Sequence, residues 1–90
     1  MALLVYPDGT TEDLTLPEED RLEVMQEAVG GYIEAVYLDA DGLNAGSKYT
    51  VALVNEDGLM MGLDPNIVAS QAMGQPVVGP VLFLNEEEWD

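Results

Sequence analysis

Residues 29–38 read VGGYIEAVYL, and this stretch decides how the chain divides into secondary structure. Its two glycines follow an amphipathic segment and are expected to stop a helix, because glycine readily adopts the left-handed conformation that caps one. Residues 32–38 are rich in β-branched and aromatic side chains and therefore predict a strand. The stretch predicts a helix, a sharp turn and a strand that carries the carboxylate of Glu34 inside an apolar run.

The segment before the glycines has the pattern of an amphipathic helix. Pro17 suits the first helical turn because its missing N–H needs no partner there. The acidic residues 18–20 favour the positive end of the helix dipole. Apolar residues at spacings of three and four predict one buried face, made of Leu22, Met25, Ala28 and Val29. The sequence therefore predicts a helix from about residue 17 to residue 29.

Strands are predicted on both sides of this helix. Residues 2–6 and 11–16 flank the turn-forming Pro7-Asp8-Gly9 and predict an amino-terminal hairpin. The remaining predicted elements are a strand at 32–38, a polar loop at 39–48, a strand at 49–54, an Asn-Glu-Asp-Gly turn at 55–58, a strand at 59–63, a short helix that opens at 64–66 and ends at Gly74, and a strand at 77–84.

The predicted order is β-β-α-β-β-β-α-β, in which hairpins outnumber helices. This order favours an α+β fold, a mostly antiparallel sheet with one main helix packed on one face. Residues 1–90 show no linker and no repeat, so a single compact domain is expected. Residues 85–90 are acidic and are expected to form a frayed tail unless Trp89 docks it.

The composition is strongly acidic, with 18 aspartates and glutamates against 2 basic residues and a formal net charge of −16. Nucleic acids and anionic membranes are bound through cationic side chains, so direct binding of either is not expected. A basic protein is the partner that this charge favours. Whether the chain forms a homodimer is left open.

The residue types present also limit the chemistry. The chain contains no cysteine and no histidine, which removes thiolate and imidazole chemistry. Residues 39–44 cluster oxygen ligands but miss the spacing of an EF-hand loop. We therefore expect no enzyme activity, no cofactor and no metal site.

The expected location is the cytoplasm. No apolar run approaches the roughly 20 residues of a membrane-spanning helix. The first residues have no basic segment and are interrupted by Pro7, so they do not resemble a secretory signal.

Three glutamates of the predicted helix form the first candidate binding surface. Glu19, Glu23 and Glu27 recur every four residues, which places them about 6 Å apart on the face opposite the apolar side chains. This spacing is similar in scale to that of phosphates along a nucleic-acid strand. It favours a mimic that binds the basic groove of a nucleic-acid-handling protein. A solvated surface, or adaptation to high salt, accounts for the same charges.

An ordered series of motifs gives a family resemblance. The series is VGGYIE at 29–34, VNEDG at 54–58, NIVA at 66–69 and VGPVL at 78–82. It resembles a small uncharacterised domain family, common in bacteriophages and bacteria, that has a V-G-G-x-I-E signature. The resemblance covers roughly residues 20–85 and implies a phage-type accessory protein in the host cytoplasm, without an established activity.

The polar members of these motifs, together with a tyrosine, form the second candidate site. They would frame a small ligand pocket if the strands at 32–38 and 49–54 pair. The candidates are Tyr32, Glu34, Asn55, Glu56 and Asn66.

A structural alternative assigns these residues to the fold. In it, Asn55 and Glu56 form a turn and Asn66 helps to cap a helix. Glu34 then accepts backbone N–H groups that the glycine turn leaves unpaired.

These observations favour a non-enzymatic, phage-type accessory protein that acts by binding. The favoured role is that of an acidic inhibitor of a host nucleic-acid-handling or defence protein. The first alternative is a small-molecule binding protein, such as a sponge for a nucleotide signal. The second alternative is a halophilic structural domain.

Overall fold

Five strands form a single sheet in the computed structural model, which describes residues 2–38 and 49–89. The strands are β1 (Ala2–Val5), β2 (Thr11–Leu14), β3 (Ile33–Tyr37), β4 (Val51–Asn55) and β5 (Val81–Leu84), and the helices are α1 (Arg21–Val29), α2 (Ile67–Met73) and α3 (Glu86–Trp89). The strand order is β2-β1-β5-β4-β3, and all neighbouring strands are antiparallel. The predicted α+β class is confirmed. The predicted loop at 39–48, with its oxygen cluster at 39–44, lies outside the described residues.

Alternate side chains of the strands form two apolar clusters, one on each face of the sheet. The cluster on the α1 face contains Ala2, Leu4, Met25, Val29, Val51, Leu53, Leu82 and Leu84. The cluster on the α2 face contains Val5, Ala52, Val54, Ala69, Met73, Val81 and Phe83. Because β4 and β5 are buried on both faces, their sequences are nearly continuous apolar runs. The main helix covers one face as predicted, and the short α2 covers part of the other.

Helix α1 begins four residues later than predicted, at Arg21. Asp20 has a left-handed conformation (φ 61°), so residues 18–20 bend away from the helical path. Aspartate is among the few residue types that tolerate this conformation, which gives the bend its physical basis. Leu22, predicted to be buried, is 57% exposed.

The end of α1 agrees with the prediction. Gly30 has a left-handed conformation (φ 81°), and its N–H donates to the carbonyl of Gln26 at 2.9 Å. The N–H of Gly31 donates to the same carbonyl, also at 2.9 Å. The glycine pair therefore stops the helix and pairs its own backbone donors.

The predicted strand at 59–63 is wrong, because residues 56–62 form consecutive turns. Here Met61 N–H donates to the Asp57 carbonyl at 2.8 Å, and Leu63 N–H to the Gly58 carbonyl at 3.0 Å. These local bonds use the backbone groups that a strand would offer to a neighbour. Met60 and Met61 are 89% and 56% exposed.

The α2 helix begins at Ile67, where the sequence predicted a start at 64–66. Asn66 is the N-cap, and its side chain accepts from the backbone N–H of Ala69. The isolated bridge between Pro65 and Val78 holds the preceding residues in an extended path, which delays the helix.

The amino-terminal hairpin is confirmed, with Ala2 opposite Leu14 and Val5 opposite Thr11. Its turn is fixed by Asp8, whose Oδ1 accepts from the Thr10 hydroxyl at 2.6 Å and from the Thr10 N–H at 2.9 Å. These two hydrogen bonds, the one from the hydroxyl first, lower the pKa of Asp8 below its ordinary value of 3.8.

Residues 86–89 form the short helix α3 where the sequence predicted a frayed tail. The Asn85 side chain accepts from Glu88 N–H at 2.8 Å, and the Glu88 side chain accepts from Asn85 N–H at 3.1 Å. This reciprocal capping box pairs the first donors of the helix. Trp89 packs against the α1-face cluster, and its Nε1–H donates to the Tyr37 hydroxyl at 3.0 Å. Apolar docking and the cap together account for the difference.

Candidate functional site

The edge strand β3 and its neighbour β4 bring two carboxylates together. Glu34 lies opposite Val54 in the register, and Glu56 N–H donates to the Tyr32 carbonyl at 2.8 Å, which continues the pairing beyond the strand. Glu34 and Glu56 are therefore diagonal neighbours on one face of the sheet, with Cα atoms about 7–8 Å apart. Both side chains are exposed. The pairing of β3 with β4, on which the candidate pocket depends, is present.

A groove with a volume of about 780 Å³ adjoins this carboxylate pair on the α2 face of the sheet. Val36 and Val54 belong to the strands that underlie it, and Leu59 and Met60 contribute apolar side chains from the turns after β4. Its lining consists of Glu34, Ala35, Val36, Val54, Asn55, Glu56, Leu59, Met60, Gln75, Pro76, Val77 and Val78. The lining is mainly apolar and contains two carboxylates and no basic side chain.

Asn55 lies beside the groove, but its amide is used by the fold. Its Nδ2–H donates to the Val29 carbonyl at 3.1 Å, and its Oδ1 accepts from Asp57 N–H at 2.8 Å. Its side chain thus reaches the last carbonyl of α1, on the face opposite the groove. A Cβ on Gly31 would lie 3.0 Å from the Asn55 amide nitrogen, so glycine leaves the space that this contact needs. The structural alternative describes Asn55 correctly.

Asn66 is fully buried and does not line the groove. Its Nδ2 donates to the carbonyls of Val5 and Gly79, both at 2.9 Å, and its Oδ1 accepts from Ala69 N–H at 3.1 Å. All polar atoms of the amide have partners. Asn66 therefore joins β1, α2 and the segment before β5, and leaves no group for a ligand.

The structural alternative is wrong for Glu34. The N–H groups of Gly30 and Gly31 donate to carbonyls of α1, so neither glycine donor is left for this carboxylate. Tyr32 contributes its carbonyl to the pairing with Glu56, while its side chain is 69% exposed and outside the groove lining. Of the predicted pocket residues, Glu34 and Glu56 are the two whose exposed side chains line the groove.

Replacing Glu34 with glutamine is expected to leave the free energy of unfolding within about 0.5 kcal/mol of the unsubstituted protein, because the side chain is exposed and ties off no backbone donor. Urea unfolding monitored by tryptophan fluorescence would measure this. Val36→Thr, on the same face of β3, is a control that places a hydroxyl in a half-buried position and should cost more. A large drop in the free energy of unfolding on Glu34→Gln would instead support the structural alternative, in which Glu34 accepts backbone N–H groups.

Sequence reasoning missed the apolar part of the groove. Leu59 is 84% and Met60 89% exposed, although both were assigned to a strand. The segment between Gly58 and Gly62 reads Leu-Met-Met, without β-branched or aromatic residues. That lack of strand-forming residue types, between two glycines, is the signal that favours exposed turns.

The glutamates expected on the main helix are only partly aligned. Glu23 and Glu27 lie one turn apart on α1 and are exposed. Glu19 is exposed too, but it lies before the helix, beyond the bend at Asp20, so the four-residue spacing does not align it with the other two. The predicted three-residue stripe is therefore a helical pair with a separate carboxylate near the start of the helix.

Two kinds of feature are absent from the described part of the chain. Residues 2–38 and 49–89 contain no group of three or more acidic, histidine or cysteine side chains that could hold a metal ion. In the same ranges, no helix combines the length and the apolar character needed to cross a membrane.

The fold and the groove define a small α+β domain with an acidic edge strand. The chain belongs to a family described as a domain of unknown function, DUF3846, whose model matches residues 1–90. Comparisons with curated proteins and with solved structures give no match. Membership in an uncharacterised domain family agrees with the resemblance seen in the sequence.

Proposed function

We propose that this protein is a non-enzymatic, phage-type accessory protein that inhibits a basic host protein by binding it. The favoured target is a nucleic-acid-handling or defence protein in the host cytoplasm. The distribution of charge over the described surface is the observation that carries this proposal.

Carboxylates are exposed on several elements of the described surface, including Glu23 and Glu27 on α1 and Glu34 on β3. Arg21 is the one basic residue in the described ranges. Its Nε–H donates to the Pro17 carbonyl at 2.7 Å, and its Nη1–H to the Glu88 carbonyl at 3.2 Å. This cation is thus held against the backbone, and a surface with a net charge of −16 on the chain attracts basic partners over a long range.

The groove favours a basic partner over a nucleotide. Glu34 and Glu56 would repel the phosphates of a nucleotide signal, and the lining offers no basic side chain to hold them. Thermal-shift screening with nucleotides is therefore expected to give no rise in melting temperature. A rise would favour the alternative of a nucleotide sponge.

The test is competition between this protein and duplex DNA for basic proteins retained from a host lysate. Retention is expected at low salt and loss at high salt, because screening weakens the attraction. The retained proteins should release labelled duplex DNA when this protein is added. The proposal fails if no basic protein is retained at low salt, or if DNA is not displaced.

Matched variants locate the effect on α1. The double variant Glu23→Gln/Glu27→Gln should displace DNA less well than Asp13→Asn/Asp64→Asn, which removes the same charge from exposed positions outside α1. Equal displacement by both variants would contradict a role for α1. A halophilic structural domain would instead unfold at low salt, which circular dichroism would detect before any binding is measured.

A further inference from the structure

We propose that the outer edge of β3 and the adjoining groove bind an extended, basic segment of the partner protein as an added strand. The inference rests on the proposed function in one respect, that the partner is basic. It differs in place, because the site lies at β3 and not on α1.

The backbone of β3 offers the hydrogen bonds that an added strand needs. Leu38 N–H donates to the Thr50 carbonyl at 2.9 Å, and Glu56 N–H to the Tyr32 carbonyl at 2.8 Å. In an antiparallel pair such bonds alternate along the strand, so the even-numbered residues of β3 face β4. The N–H and C=O groups of Ile33, Ala35 and Tyr37 therefore point to the outer edge.

Among residues 2–38 and 49–89, no strand lies beyond β3, so its outward N–H and C=O groups have no strand partner in those ranges. Addition of an extended peptide to such an edge is a general mode of recognition, in which backbone bonds give affinity and pockets for alternate side chains give specificity. The groove supplies such a pocket. Ala35 lines it although its side chain packs on the opposite face, which shows that the groove reaches the strand backbone.

The chemistry of the groove selects the added strand. Val36, Val54 and Leu59 suit apolar side chains directed into the groove. Glu34 and Glu56 lie on the same face and have no basic neighbour in the lining, so they suit lysine or arginine side chains on the segment. A strand with both apolar and basic residues is complementary to this edge in shape and charge.

A second copy of this chain is a poorer occupant. Antiparallel pairing of two β3 strands about Ala35 would place two Glu34 side chains on one face of the joined sheet. Each chain also carries a net charge of −16. Like charges across neighbouring strands are destabilising, whereas a basic segment neutralises the same carboxylates.

The probe is a capped synthetic peptide of Val-Thr-Lys-Thr repeats, called the valine–lysine peptide, which presents valine and lysine on the same face of an extended strand. It is titrated into isotopically labelled protein at low salt. Amide hydrogen exchange measured by NMR should slow by roughly tenfold or more at Ile33, Ala35 and Tyr37, because these N–H groups become bonded. The even-numbered amides, already bonded to β4, should change little. The same peptide with glutamate in place of each lysine should not bind.

Alternate N-methylation of the valine–lysine peptide provides a test that leaves the protein intact. Methyl groups on the peptide amides that would face β3 remove the N–H groups that donate to β3, and should weaken binding by roughly tenfold or more. Methyl groups on the peptide amides that face away from β3 should leave the affinity unchanged. Equal affinity for both methylated peptides would overturn strand addition. So would unchanged exchange at the outward-facing amides when the peptide is bound.

Charge reversal separates this site from the α1 surface. Glu34→Lys/Glu56→Lys should lower the affinity for the valine–lysine peptide by roughly tenfold or more. Glu23→Lys/Glu27→Lys changes the net charge by the same amount and should lower that affinity much less. Equal losses would show attraction to total charge and overturn the site. A dimer with protected edge amides in the absence of peptide, detected by light scattering, would overturn it also.

The two proposals can fail separately. If the peptide binds at β3 but no basic host protein is retained from the lysate, strand addition at β3 stands and the proposed inhibition is rejected. If DNA displacement depends on Glu23 and Glu27 but is unaffected by Glu34→Lys/Glu56→Lys, the proposed inhibition stands and strand addition at β3 is rejected.

Discussion

Replacing Asn66 with alanine is expected to lower the free energy of unfolding by about 3 kcal/mol. The Asn66 amide donates to the carbonyls of Val5 and Gly79, and its Oδ1 accepts from Ala69 N–H. Alanine removes both donors from buried carbonyls and also removes the cap of α2, whose loss alone costs about 1 kcal/mol. Urea unfolding monitored by tryptophan fluorescence would measure the change.

Two further substitutions show which part of Asn66 matters. Asn66→Asp keeps the volume and the capping oxygen but places an acceptor against the carbonyls of Val5 and Gly79. At neutral pH it should therefore lower the free energy of unfolding at least as much as Asn66→Ala does. Asn85→Ala removes the same residue type from the cap of α3, where the side chain is half-buried, and should cost about 1 kcal/mol. Equal losses at the two asparagines would contradict a special role for Asn66.

The elements predicted correctly depend on near neighbours. The hairpin turn at residues 7–9 and the glycine stop after α1 follow from the conformations that proline, aspartate and glycine favour. Strand β5 (Val81–Leu84) is the second half of the apolar run that predicted a strand at 77–84. Each of these preferences acts over a few positions, so the sequence alone contains the information.

The elements predicted incorrectly depend on a local conformation or on distant contacts. The left-handed conformation of Asp20 shortens α1, and aspartate adopts it too rarely for a sequence to predict it. The tail docks through a hydrogen bond from Trp89 to Tyr37, 52 positions away. A contact over that separation cannot be predicted from the residues of the tail. Likewise, β1 pairs with β5 across most of the chain.

The candidate site divides in the same way. The proximity of Glu34 and Glu56 follows from pairing consecutive strands, and the sequence predicted it. The burial of Asn66 depends on Val5, 61 positions away. The direction of the Asn55 side chain depends on the register of β4, because a shift of one residue would turn it to the groove.

The second large effect is expected at Asn55, where replacement with alanine should cost about 2 kcal/mol. Its Nδ2–H donates to the Val29 carbonyl, one of the last four of α1, which have no partner within the helix. Its Oδ1 accepts from Asp57 N–H and so shapes the turn after β4. Alanine leaves both backbone groups without this partner in a position that is 6% exposed.

Gly31→Ala is expected to cost about 1 kcal/mol through the same asparagine, since the added Cβ would lie 3.0 Å from the Asn55 amide nitrogen. The two substitutions should therefore be coupled. Once Asn55 is alanine, the new Cβ has room, and the double variant should lose about 1 kcal/mol less than the sum of the single losses. Urea unfolding of all four proteins gives the coupling energy.

Gly30→Ala is the matched control for this cycle. Gly30 has a left-handed conformation (φ 81°), so alanine there costs about 1 kcal/mol from backbone strain, and a Cβ would lie 3.9 Å from the Asn55 amide nitrogen. This loss should add to that of Asn55→Ala without coupling. Coupling at Gly31 but not at Gly30 would show that the V-G-G motif and Asn55 form one structural contact between α1 and β4. Equal coupling at both glycines would instead mean that the helix end as a whole, and not the space beside Asn55, sets the need for glycine.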